Sequence, residues 1–257
     1  MSFTRAQIQS ALAIQIAAAH DQGQQVRVVA GPGTGKSTTI EERVGWLLGQ
    51  GVQPTNICIV SFTRASALDL RQRVHDFCTQ HGFPAGTQVR VTTLHSLALR
   101  VLRQAGLLGA YPAEPLVMDD WELENVFDAE FGEISGIGKR RREKIRQDHE
   151  AFWGTGQWGP PNYVPPDPPI SVAERTQFAT FHGPRTQTYS CVLPGEIVRQ
   201  CVTQMTAGIL NAVQLLDLRH LVVDEFQDLN PMDLQFVDSI IDQGATVFVA
   251  GDDDQSI

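Results

Sequence analysis

Ala30-Gly31-Pro32-Gly33-Thr34-Gly35-Lys36-Ser37 is a glycine-rich turn that ends in lysine and serine. Such a loop can wrap its backbone N–H groups around a phosphate, because glycine takes the positive-φ conformations of a tight turn without penalty. A helix following it adds the positive end of its dipole; the Lys36 ammonium can reach the β- and γ-phosphates of a nucleotide, and the Ser37 hydroxyl can ligate Mg²⁺. The general pattern has glycine at its first position, where this chain has Ala30. Far downstream, Leu221-Val222-Val223-Asp224-Glu225-Phe226-Gln227-Asp228 puts two adjacent carboxylates at the end of an apolar run. In an open α/β sheet such strand ends meet at one crevice. Asp224 there suits a magnesium ligand, and Glu225 suits the base that orients and deprotonates an attacking water. A third run, Val247-Phe248-Val249-Ala250-Gly251-Asp252-Asp253-Asp254-Gln255-Ser256, ends in a polar cluster from which Gln255 can contact a γ-phosphate or that water. An acidic strand end standing alone is ordinarily a solvated turn; the phosphate loop upstream gives these two a chemical reading.

Positioning those groups requires strands, and the sequence offers them. Val26–Ala30, Ile57–Phe62, Val89–Thr93, Leu221–Val223 and Thr246–Ala250 are short apolar runs rich in β-branched residues, as expected for strands buried on both faces of a parallel sheet. Helix-compatible stretches intervene at Ser37–Leu48, Ala65–Thr79, Ser96–Gln104 and Met232–Ile241, with apolar spacing that fits one face packed on a sheet. Strand–helix alternation predicts an α/β fold with right-handed crossovers. It stops between about residues 106 and 190, which predicts a mostly helical subdomain inserted between the third and fourth strands. Within that stretch six of the twelve residues Gly159–Ile170 are proline, so this part is expected to run extended.

The composition, 42% hydrophobic and 19% charged over 257 residues, is that of a globular chain with enough apolar surface for a real core. The four cysteines, Cys58, Cys78, Cys191 and Cys201, form no C-x-x-C pair, which argues against a disulfide scaffold or a structural zinc site. The N-terminus has neither a signal-peptide pattern nor a membrane-length apolar span, so a cytoplasmic protein is expected. The net charge is −9, yet it is unevenly placed: residues 201–257 hold ten acids against Arg219 alone. Residues 64–103 carry six arginines against Asp69 and Asp76, and residues 139–146 carry six bases against Glu143. Exposed charges decouple beyond a Debye length of about 8–10 Å, so overall acidity does not exclude a polyanionic partner.

These motifs together resemble the first half of a superfamily 1A helicase of the UvrD/Rep type. The resemblance rests on AGPGTGKST, VVDEFQD and VAGDDDQSI and on two further segments. Ser61-Phe62-Thr63-Arg64-Ala65 is similar to the family's TFTNKAA, and Thr92-Thr93-Leu94-His95-Ser96 to its TFHSF. Gln7, in Phe3-Thr4-Arg5-Ala6-Gln7, stands where the family has its adenine-reading glutamine. The resemblance implies a RecA-like P-loop domain 1A with a parallel sheet, split into residues 1–105 and 191–257, and a helical domain 1B at 106–190. It implies ATP and Mg²⁺ as ligands. Gln7 would bind adenine, Gly33, Thr34, Gly35, Lys36, Ser37 and Thr38 would hold phosphate, and Ser37 and Asp224 would hold the metal. Lys36, Asp224, Glu225 and Gln255 would carry hydrolysis, with Gln227 completing the nucleotide side. Phe62, Thr63, Arg64, Thr93 and His95 would line a path for single-stranded DNA. Arg64-Ala65 replaces the family's Asn-Lys, so a positive charge is kept but shifted by one place.

Within the insert, Gly136-Ile137-Gly138 followed by a basic helix has the outline of a phosphate-binding hairpin that could reach a duplex junction; a solvated basic face balancing the preceding acidic segment is the competing reading. The family's second RecA-like domain, which supplies arginines to the transferring phosphate, has no counterpart in this chain. The expectation is therefore an ATP- and DNA-binding half that hydrolyses ATP slowly and does not unwind by itself. A non-catalytic nucleic-acid-binding or regulatory module that retains the fold is the alternative.

Overall fold

The structure, a computed structural model, describes residues 5–31, 35–111, 115–160 and 164–252. In chain order its elements are α1 (Arg5–Ala19), β1 (Gln25–Val29), α2 (Lys36–Gly49), β2 (Ile57–Ser61), α3 (Arg64–Gln80), β3 (Arg90–Thr93) and α4 (Leu94–Gln104). There follow β4 (Leu116–Val117), α5 (Asp120–Glu122), a π-turn over Leu123–Phe127, α6 (Asp128–Ser135), α7 (Lys139–Thr155), α8 (Val172–Tyr189), β5 (Cys191–Val192) and α9 (Pro194–Thr206). The last are α10 (Ala212–Leu216), β6 (His220–Asp224), α11 (Pro231–Asp242) and β7 (Thr246–Gly251). They form two compact units. One holds the chain up to Leu97, Asn211–Leu229 and the chain from Val237; the other holds Ala98–Leu210 and Asn230–Phe236.

The first unit is a RecA-like α/β domain. Its five-stranded sheet has the order β1-β7-β6-β2-β3, and every pairing is parallel. β2 is buried at all five positions, which explains its unbroken apolar sequence: in a parallel sheet both faces are covered. Ile40, Val44 and Leu47 of α2 and Leu70, Val74 and Cys78 of α3 lie in one core with Ile57, Ile59, Val91, Val222 and Phe248 of the strands. Each helix thus buries an i, i+4, i+7 or i+8 stripe against the sheet. α1 was not legible as an amphipathic helix, being alanine-rich with Leu12, Ile14 and Ile16 exposed. Its carboxyl end is fixed by the buried Arg43, whose guanidinium donates to the Ala19 carbonyl at 3.0 Å and to that of Asp21, and stacks on Trp46 and Phe248.

The second unit is mostly helical, as expected for the insert, and adds a two-stranded parallel pair, β4 with β5. Its core is aromatic: Phe127 and Phe131 pack on Phe178 and Phe181 with ring centroids 5.1–6.1 Å apart, three of the four pairs edge to face. α8 starts in a reciprocal cap in which Ser171 accepts from the Glu174 N–H and Glu174 accepts from that of Ser171. All four cysteines are buried and free. Among the described residues, no helix is long and apolar enough to cross a membrane.

Candidate functional site

Because all five strands run the same way, every motif falls at the carboxyl edge of one sheet. The glycine-rich loop follows β1, Phe62 follows β2, His95 follows β3, Glu225 follows β6 and Asp252 follows β7. β6 lies between β7 and β2, so the acidic pair sits centrally, with the loop's strand two places to one side.

Gly35 caps α2 with φ +91°, a left-handed conformation that glycine alone adopts cheaply. Its carbonyl accepts from the Thr39 N–H at 2.9 Å and from the Thr39 hydroxyl at 3.1 Å, closing the first turn of the helix that carries Lys36, Ser37 and Thr38. Gly33, Thr34 and Gln255 lie outside the described residues, as does the side chain of Gln7. Lys36 and Glu225, 189 residues apart in sequence, meet: Lys36 Nζ donates to Glu225 Oε2 at 2.9 Å. Gln227 Nε2 donates to the same oxygen at 2.8 Å, and Gln227 Oε1 accepts from the Asp252 N–H at 2.9 Å. Gly251 leaves room for this, since a Cβ there would lie 2.7 Å from Gln227 Oε1.

Glu225 takes a left-handed backbone, φ +52°, which is rare for a residue with a side chain and turns the chain sharply off the strand. Burial works to raise the Glu225 pKa, but hydrogen bonds from Gln227 and Lys36 outweigh it and hold the carboxyl below its ordinary value. Asp224 is only 8% exposed. Burial, reinforced by the charge of Glu225, pushes its pKa up to about 6. Adjacent carboxylates thus differ: Glu225 is held toward its ionised form by Gln227 and Lys36, and Asp224 toward its neutral form by burial.

Gln15 of α1 belongs to none of the motifs named in the sequence. In the structure its side-chain amide lies against the phosphate loop: a Cβ on Gly35 would come within 2.8 Å of Gln15 Nε2. Gln7 is eight residues earlier on the same helix, about 12 Å along its axis.

On the other half of the edge, Phe62 is 46% exposed and so is not a core residue. Thr63 caps α3, accepting from the Ser66 N–H at 3.0 Å, and Arg64 is exposed in the first turn. Thr93 is buried and does the same for α4, accepting from the Ser96 N–H at 3.2 Å and donating to Ser96 Oγ at 2.9 Å. Burial lowers the His95 pKa, so its imidazole is neutral at pH 7 and offers hydrogen bonds rather than charge.

Half of the basic run of the insert, Lys139, Arg140 and Lys144, is exposed, while Arg141, Arg142 and Arg146 are half-buried. Arg141 clasps Glu174 with two bonds, at 2.7 and 2.8 Å, and also donates to the Pro168 and Pro169 carbonyls, tying down the proline-rich segment. Arg146 pairs with Asp128 and Glu150, and Lys139 with Glu124. Lys139 lowers the pKa of Glu124 and the charge of Arg142 adds to this; burial raises that of Asp128, and Arg142 works against it alongside Arg146.

A parallel sheet with a phosphate loop after its edge strand and a lysine–carboxylate pair at its center defines a P-loop nucleoside-triphosphatase domain. The chain belongs to the UvrD/REP helicase family: the family's N-terminal domain matches residues 12–152 and 202–257, a span that begins after Gln7 and includes Gln15. It is 24% identical over 247 residues to DNA helicase II of Haemophilus influenzae, covering 90% of this chain and 32% of that protein. It is 26% identical over 265 residues to ATP-dependent DNA helicase UvrD1 of Mycobacterium leprae, covering 92% and 32%. With ATP-dependent DNA helicase SRS2 of Saccharomyces cerevisiae it shares 24% identity over 266 residues, covering 94% and 22%. The chain thus spans about a third or less of the length of these relatives.

Proposed function

We propose that this chain is the ATP- and single-stranded-DNA-binding half of an ATP-dependent DNA helicase, with slow ATP hydrolysis and no unwinding of its own. The observation that carries the reading is the convergence of Lys36 on Glu225 beside Asp224. The site fits Mg-ATP on its own chemistry. Gly35 presents a glycine-only turn at a helix start, Lys36 supplies an ammonium, and Asp224 is a buried carboxylate at the adjoining strand end, the oxygen donor that magnesium takes. Magnesium at phosphate sites takes only one or two protein oxygens, here those of Ser37 and Asp224, and when bound it neutralises charge on the phosphates.

In this reading Gly33, Thr34, Gly35 and Thr38 cradle the phosphates with Lys36, which leaves Glu225 to do so. Glu225, released by Lys36 and still hydrogen-bonded by Gln227, is then a free carboxylate that accepts the proton of the attacking water. Gln227 keeps that carboxylate aimed, and Gln255 completes the phosphate side. We assign the adenine contact to Gln15, which already touches the loop, in place of Gln7. Phe62 stacks on a base, Arg64 holds a phosphate, and Thr63, Thr93 and His95 shape the path. In this reading the unit holding the sheet corresponds to domain 1A and the helical unit to domain 1B, with bounds at Ala98–Leu210 and Asn230–Phe236 in place of the 106–190 expected from the sequence. The 139–146 run is not assigned a duplex contact, because Arg141, Arg146 and Lys139 are engaged within the insert. A second RecA-like domain would supply the arginines worth about 10³–10⁵ in rate in phosphoryl transfer, and a cytoplasmic setting suits the reading.

The test is titration of the chain with Mg-nucleotide and oligo-dT, beside Lys36→Ala, with phosphate release measured in both. Lys36→Ala is expected to abolish nucleotide binding while oligo-dT binding persists, and oligo-dT is expected to raise the wild-type ATPase rate. Nucleotide affinity undiminished in Lys36→Ala, or a turnover of several per second by this chain alone, would contradict the proposal.

A further inference from the structure

A cavity of about 270 Å³ opens at the β3 edge of the sheet, lined by Arg64, Ala67, Leu68 and Arg71 of α3 and by Thr92, Thr93 and Ser96. Three of the four α3 residues, Arg64, Leu68 and Arg71, stand at i, i+4 and i+7 on one face of the helix. The core takes a neighbouring stripe, Leu70, Val74 and Cys78, centred about 90° round the helix, so Leu68 and the two arginines are not held by core packing. Leu68 is 64% exposed, a leucine kept in water between two guanidinium groups. Arg73 of the same helix is neutralised by Glu41 at 2.8 Å, whereas among the described residues Arg64 and Arg71 have no carboxylate partner. Arg71 is nonetheless oriented, because it donates to the Val91 carbonyl of β3. An arginine held in place by a carbonyl keeps its full charge and its remaining N–H groups for a ligand.

Two unneutralised guanidinium groups about 10 Å apart along the helix, with an apolar side chain between them and hydroxyls on the facing wall, match a ligand that repeats anion and apolar ring. A single nucleic-acid strand is such a ligand. We propose that Leu68 and Arg71, outside the motifs, form a further nucleotide subsite that continues the path from Phe62 and Arg64 along α3. Arg71 takes a phosphate in the cavity, and Leu68 packs on the adjoining sugar or base. The proposal rests on the reading of this domain as a single-strand binder.

The experiment measures fluorescence anisotropy of labelled oligo-dT with the full 257-residue chain across a salt series. Its variants are Arg71→Gln, Arg71→Lys, Leu68→Glu and Phe62→Ala, with fluorescent-nucleotide binding as a control for each. Single-strand affinity falls with salt with a log–log slope of about 0.7 per phosphate contact, so losing one contact weakens binding about fivefold at 0.1 M relative to 1 M salt. Arg71→Gln is expected to show that loss and a slope flatter by about 0.7. Arg71→Lys is expected to keep the slope, and Leu68→Glu, at an exposed position, to weaken binding at least about tenfold by repelling phosphate. Arg71→Gln, Arg71→Lys and Leu68→Glu are expected to bind nucleotide as the wild type does. Wild-type affinity and slope in Arg71→Gln and Leu68→Glu, with Phe62→Ala weakened, would overturn the subsite and leave the single-strand reading intact. If Arg71→Gln fails to fold, Leu68→Glu decides on the same terms. No oligo-dT binding by the wild type would overturn both.

Discussion

Replacing Glu225 by glutamine separates nucleotide binding from turnover, and the structure sets the direction of both effects. Lys36 Nζ and Glu225 Oε2 are 2.9 Å apart, with the two side chains 12% and 34% exposed. A phosphate approaching Lys36 must compete with that carboxylate. Charge-assisted hydrogen bonds contribute about 1.5–3 kcal/mol net and exposed ion pairs less than about 1 kcal/mol, so a partly exposed pair competes with about 1 kcal/mol. Glutamine keeps the shape and an acceptor for Gln227 while removing the charge that holds Lys36 and repels phosphate. Glu225→Gln should therefore bind Mg-nucleotide about fivefold to tenfold more tightly, while losing about 10²–10⁴ in turnover with its general base. Fluorescent-nucleotide titration at fixed salt, paired with steady-state phosphate release, reads both quantities. Unchanged or weaker binding in a variant with the wild-type thermal midpoint would show that nucleotide does not displace this ion pair. Undiminished turnover would remove Glu225 from the chemistry.

Gln15→Ala should weaken ATP binding about tenfold, the worth of two side-chain hydrogen bonds, and narrow the preference for ATP over GTP. Gln7→Ala should leave that preference alone, and competition titration with the two nucleotides distinguishes them. Arg141→Ala should speed proteolytic cleavage in the proline-rich 164–170 segment, because the Pro168 and Pro169 carbonyls lose their donor; an unchanged digestion pattern would count against the clasp. The Glu174 carboxyl is pulled down to about 2 by hydrogen bonds from Arg141 and Ser171, against 4.5 when unfolded. A lowered folded pKa contributes stability above pH 4.5 that is lost as pH falls toward 2. Acid unfolding followed by circular dichroism should therefore be less steep in that window for Glu174→Gln, and identical curves would refute the assignment.

The nucleotide half of the site was legible because its chemistry dictates its backbone. A phosphate loop needs glycines between a strand and a helix, and an acidic pair must end a strand, so residue type and position are read together. The strands were legible for a related reason: β2 is buried on both faces and has no polar alternation to confuse with a helix. The insert was opaque where partner choice decides. Nothing near Arg141 in sequence announces Glu174, 33 residues on, and a clasped arginine looks the same in sequence as a solvated one. β4 and β5, two residues each, carry no periodicity to detect. Gln15 was passed over because α1 is uniformly alanine-rich, so its sequence does not show which face meets the loop; only the packed helix does.

Gln227 joins two strand ends through a single planar group. Its nitrogen grips the Glu225 carboxylate while its oxygen grips the Asp252 N–H, and the two lie on opposite arms of one amide. Rotation that follows a departing carboxylate swings the oxygen away from the tip of β7, and a half-turn would face N–H against N–H. The amide therefore acts as a rocker with two seats: the Glu225 carboxylate cannot leave one without unsettling the peptide in the other, across 25 residues of intervening chain.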